Sequence, residues 1–167
     1  RTTAAAMRYT GLLVLRVTLA CVFVAHGMHK LFGLWSGPGV GPGGVQATAD
    51  HLARVGLQGG TTLAMLAGVV QLVGGAFVGC GLLTRWAASA LLGYVAIGIW
   101  KEHFRWGFFL NWVGEHGRGN GLEYSIVLVG ALVCLILAGS GRWSSDGRRA
   151  ADAESRAMGR ARVRGKH

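Results

Sequence analysis

Charge is scarce in this chain. Of its 167 residues only 14% are Asp, Glu, Lys or Arg, whereas a soluble domain carries about 25%. A surface that faces water needs those charges, so composition argues against a soluble globular domain. Apolar residues, at 51%, rule out a disordered chain. Acids are scarcer still: 7 Asp and Glu stand against 17 Lys and Arg, a net charge of +10. Proline occurs only as Pro38 and Pro42, inside the glycine-rich run Ser36–Gly44, so irregular backbone is expected there. That run lacks the G-K-[ST] ending of a phosphate-binding loop. Cys21, Cys80 and Cys134 are the three cysteines, all within apolar runs and none in a C-x-x-C pair. This argues against a cysteine metal cluster or a dithiol centre; each thiol reads as a small hydrophobe.

What remains is long apolar runs. A spanning helix needs about 20 apolar residues, and four segments approach that: 9–32, 61–83, 84–104 and 122–140. The expected fold is all-α, a four-helix transmembrane bundle over residues 1–141. It has a Gly/Pro-rich outer loop and an aromatic-rich one. In the second, Trp100, Phe104, Trp106, Phe108, Phe109 and Trp112 crowd together. They read either as an interfacial belt or as a lid over a flat apolar ligand. Residues 45–55 fit a short amphipathic helix with Ala49, Leu52 and Val55 on one side. Gly75 and Gly79, four apart, mark a close helix contact and suit either a bundle or a homo-oligomer. The first run has no convincing cleavage site for a signal peptide. Either Met7 is the natural start or the beginning has been trimmed.

With both termini inside, Arg1, Arg8, Arg85 and eight tail residues are cytoplasmic. Lys30, Arg54, Lys101, Arg105 and Arg118 are then outside. This split satisfies the positive-inside rule. The tail, 142–167, holds Arg142, Arg148, Arg149, Arg156, Arg160, Arg162, Arg164 and Lys166 against Asp146, Asp152 and Glu154. It is expected to be disordered and solvated, or drawn to anionic headgroups at about 1 kcal/mol per basic residue. Nucleic acid is not an expected partner, since the tail has one aromatic, Trp143, and no binding motif.

Polar residues inside spans are costly and face protein or water. Arg16, His26 and Lys30 share one flank of the first helix at about 100° per residue. Gln71 falls near the middle of the second, and Glu123 at the outer end of the fourth. These groups fit a polar pocket opening outward, or simple interhelical hydrogen bonds. Lys30 and Glu123, at similar depth, are expected to pair, with Asn111 brought near both under the aromatic loop. His26-x-x-His29 has a weak metal-like spacing with no fixed third ligand, so no metal site is expected.

The run Leu15-Arg16 … His26-Gly27-Met28-His29-Lys30-Leu31-Phe32-Gly33 resembles the first helix of the DoxX family of small bacterial membrane proteins. Gln71-Leu72-Val73-Gly74-Gly75, Gly107-Phe108-Phe109-Leu110-Asn111-Trp112 and Gly121-Leu122-Glu123-Tyr124 follow in the same order. Gln71 stands where the family usually carries Glu. The resemblance spans about residues 8–145. It implies four helices in the bacterial inner membrane. Some relatives look like the membrane subunit of a thiosulfate:quinone oxidoreductase; others occur in a complex with superoxide dismutase and a sulfurtransferase. On that basis the chain is non-catalytic alone. It is expected to anchor redox partner proteins or to contact a quinone, with no intrinsic cofactor. The pocket candidates are Arg16, His26, Lys30, Gln71, Asn111, Trp112, Glu123 and Tyr124. A small-molecule carrier, or a purely structural membrane protein, are the alternatives.

Overall fold

The computed structural model describes residues 2–37 and 40–164; Pro38 and Gly39 of the glycine-rich loop, Arg1 and the last three residues, including Lys166, lie outside them. The described residues are all-α. The helices run α1 (Thr2–Phe32), α2 (Val45–Arg54), α3 (Gly60–Cys80), α4 (Thr84–Gly98), α5 (Glu123–Ala138) and α6 (Ser145–Arg164). One π-helical turn, Ile99–His103, and one 3-10 turn, Phe104–Trp106, prolong α4. Two helices, α1 and α3, are long and apolar enough to cross a membrane, and α5 is a shorter apolar helix.

α1 and α3 run side by side, with α4 joining α3 to α5. Glycine makes the first contact possible. A Cβ on Gly75 would lie 2.9 Å from Phe23 Cβ, and one on Gly79 would lie 2.8 Å from Ala20 Cβ. The pair singled out by spacing therefore is the contact face. Phe23, Val78, Ala88, Leu91, Leu132 and Leu135 form the core of the bundle. The large apolar side chains left outside, among them Val14, Val73, Trp86, Val127 and Leu137, are what a lipid-facing surface presents.

α3 ends by a left-handed turn at Gly81, φ 67°, with Gly81 N–H donating to Val78 O and Leu82 N–H to Phe77 O, the Schellman pattern. Leu83 follows at φ 47°, a left-handed conformation that costs a non-glycine residue roughly 1 kcal/mol. Asp146 holds it there. One carboxylate oxygen accepts from Leu83 N–H at 3.0 Å, and the other from Thr84 N–H at 3.0 Å and the Thr84 hydroxyl at 3.2 Å. Asp146 N–H donates back to Gly81 O. A residue of the tail thus caps α4, satisfying N–H groups that the helix itself leaves unpaired.

Composition suggested a disordered tail; of its described residues, Ser145–Arg164 form the helix α6. Ser144 accepts from Gly147 N–H at 2.9 Å and caps α6 in the usual serine manner. Arg16, 1% exposed, reaches the same segment from α1 and donates to Trp143 O at 2.6 Å. Tail and bundle are therefore joined by polar contacts that basic composition alone does not reveal.

Candidate functional site

α2 is amphipathic, and its apolar face, Ala49 and Leu52 with Val55 just beyond, turns toward α3. The Thr48 hydroxyl donates to Gly44 O at 2.9 Å and approaches Lys30 O at 3.3 Å, fastening α2 to the end of α1. Between α2, α3 and α4 lies a cavity of about 430 Å³, within the range of small-molecule sites. Leu52, Val55, Leu57, Leu63, Leu66, Ala67 and Val70 line it from one side, and Ala90, Gly93, Tyr94 and Ile97 from the other. Gly93 matters because a side chain there would occupy open space: a Cβ meets nothing within 4 Å.

The polar part is small and local. Lys30, Thr48, His51, Lys101 and Glu102 are its members. His51 Nε2 lies 3.2 Å from Glu102 Oε2, a bridge from α2 to the π-helical turn. Lys30 Nζ sits 5.8 Å from the centre of the Tyr94 ring, and Lys101 Nζ 4.1 Å from that of Trp100, within reach of a cation–π attraction. An apolar chamber with donors gathered at one place can orient a ligand that is apolar along most of its length and polar at one end.

Of the residues chosen from sequence, only Lys30 lines this cavity. Arg16 does not share a pocket with it: fourteen residues of helix separate them by about 21 Å. Arg16 is buried at the tail end, where its Nε and Nη1 have no partner. His26 is exposed on α1. Gln71 is buried, with its amide oxygen unpartnered, but lies outside the lining. The expected Lys30–Glu123 pair is not formed. Among the described residues the ion pairs are His51–Glu102 and Arg118–Glu115. Glu123 instead accepts from Leu110 N–H at 3.2 Å, closing the aromatic loop onto the start of α5.

Asn111 finds its partners within its own loop. Its amide donates to Glu115 O and Arg118 O, and its oxygen accepts from Glu115 N–H. Trp112 and Tyr124 are exposed, at 74% and 42%. Trp100, Phe104, Phe108 and Phe109 are exposed too, the disposition of an interfacial belt rather than a lid over this cavity. As site residues, His51, Lys101 and Glu102 escaped the sequence reading, which took Lys101 only as an outer basic residue. The available signal was a histidine on the amphipathic α2 and an acid just past an apolar run.

Residues 11–103 match the DoxX family model. The chain is 32% identical over 137 residues to the "Uncharacterized membrane protein Rv3486" of Mycobacterium tuberculosis (strain ATCC 25618 / H37Rv), covering 80% of this chain and 78% of that protein. No solved structure matches. Helices able to cross a bilayer, lipid-type surfaces and this relative define a small all-α membrane protein. More than half of its length matches the family model, and the chain belongs to the DoxX family.

Proposed function

We propose that the protein binds a lipophilic molecule with one polar end, a quinone above all, in the cavity between α2, α3 and α4. In this reading it serves a redox complex of the bacterial inner membrane as its anchoring or quinone-contacting subunit. The observation that carries the reading is the cavity itself: apolar walls, with Lys30 as a donor and the His51–Glu102 pair beside it. A quinone carbonyl accepts hydrogen bonds and its ring is apolar, so both parts are matched. The quinone, when bound, supplies the electron-carrying chemistry. The chain's residues bind it, orient its carbonyl and exclude water. The same reading takes α1, α3, α4 and α5 as four spans, with both termini cytoplasmic on the strength of the basic residues.

Filling the cavity tests this. Gly93→Phe adds a ring at a position of the cavity lining where the Cβ itself meets no neighbour within 4 Å. Titration of the purified full chain in nanodiscs with a short-chain quinone, read by tryptophan quenching, should show affinity falling at least about ten-fold. The thermal midpoint should be little changed. Unchanged affinity in a folded Gly93→Phe variant would overturn the proposal.

A further inference from the structure

A second cleft, of about 460 Å³, lies at the opposite end of the molecule. Ala6 and Tyr9 of α1 form one wall; Arg142, Trp143, Arg148 and Ala151 form the other. Both arginines are exposed, and among the described residues no carboxylate lines the cleft. Asp146, between Trp143 and Arg148 in sequence, is engaged by the N-terminus of α4. The walls are built rather than draped. Arg16 fixes the Trp143 carbonyl, Ser144 holds Gly147 N–H, and Asp146 pins the start of α6 to the α3–α4 turn.

Depth identifies the surroundings. Tyr9 and Lys30 are twenty-one residues apart on one helix, about 31 Å at 1.5 Å per residue. That is close to the thickness of a bilayer's hydrocarbon core. With Lys30 at one interface, Tyr9 and the cleft stand at the other, at headgroup level. Tyr9 and Trp143, each apolar in body and polar at one edge, are the residue types that settle there.

We propose that this cleft holds the headgroup of one acidic phospholipid of the adjoining leaflet. Its phosphate lies between Arg142 and Arg148, where a guanidinium can pair two oxygens at once. Its glycerol lies near Tyr9, at the edge of the hydrocarbon core, with Ala6 and Ala151 beside the headgroup. The lipid is selected by charge and held by a preformed site, so a diffuse attraction of the whole tail to a negative surface is a different outcome.

Native mass spectrometry of the purified full chain, titrated with phosphatidylglycerol or phosphatidylcholine, separates these. The expected result is one phosphatidylglycerol retained roughly thirty-fold more tightly than phosphatidylcholine, from two basic contacts. The double variant Arg142→Gln, Arg148→Gln should bring the two lipids level. The control Arg149→Gln, Arg156→Gln removes as much charge from exposed α6 positions outside the cleft and should keep the preference. Equal binding of both lipids by the unaltered chain overturns the proposal. So does equal loss in both double variants, which would mean surface charge alone. Inorganic phosphate that binds with the same arginine dependence while phosphatidylglycerol shows no preference also overturns it.

Discussion

Replacing Gly27 by valine is expected to destabilise the protein by about 3 kcal/mol or more, the upper end of overpacking costs. A Cβ at Gly27 would stand 2.5 Å from Leu72 N and 2.8 Å from Leu72 Cα. These are backbone atoms of α3, so no rotamer change relieves the contact and the helices must part. Parting them also loosens the contacts at Gly75 and Gly79 further along. Close packing is what holds helices together in lipid, and these contacts would be lost together. Denaturant titration in detergent should show the loss, whereas Gly130→Val on α5, where a Cβ meets nothing within 4 Å, should leave the midpoint almost unmoved. A Gly27→Val midpoint equal to that of Gly130→Val would contradict the α1–α3 contact.

Asp146→Ala is expected to cost about 2 kcal/mol, the upper range for a helix cap. It removes three bonds from the start of α4 and leaves Leu83 in a left-handed turn without support. Partial desolvation would raise the Asp146 carboxyl. The N–H groups of Thr84 and Leu83, the Thr84 hydroxyl and nearby Arg149 together outweigh it and hold the carboxyl below its ordinary range. A group depressed on folding binds its proton more readily when unfolded, so acid favours the unfolded state. Its contribution is full above the ordinary aspartate range and is lost as pH falls through the depressed value. The stability difference between the unaltered chain and Asp146→Ala should therefore be constant near neutrality and shrink in strong acid. A difference that stays level down to the acid limit would show that the carboxylate is not the cap.

Helices were legible because apolar runs and punctuation agree along this chain. α2 and the Gly75–Gly79 face followed from periodicity, which local geometry fixes. Partners were less legible. Lys30 and Glu123 have similar depth, but depth does not say which helix stands beside which. α2 folds back to place His51 near the mouth, and the turn after α4 places Glu102 there. Arg16 was recognisable as an intramembrane charge, yet its acceptor, Trp143 O, lies 127 residues away and carries no side-chain signature. The tail misled because charge density masks local chemistry. Ser144 three residues before Gly147, with Asp146 between them, is a helix-start signal that was outweighed by eight basic residues.

The cavity between α2, α3 and α4 can be tested for occupancy directly. The full chain in native-like membranes is illuminated with a photoreactive quinone analogue, digested, and the labelled peptides are identified. The expected label falls on α2 and on the stretch from Ala90 to Glu102, is competed away by unlabelled quinone, and disappears in Gly93→Phe. Label confined to the aromatic loop, residues 104–113, or spread over the lipid-facing helices without competition, would contradict a quinone site in this cavity.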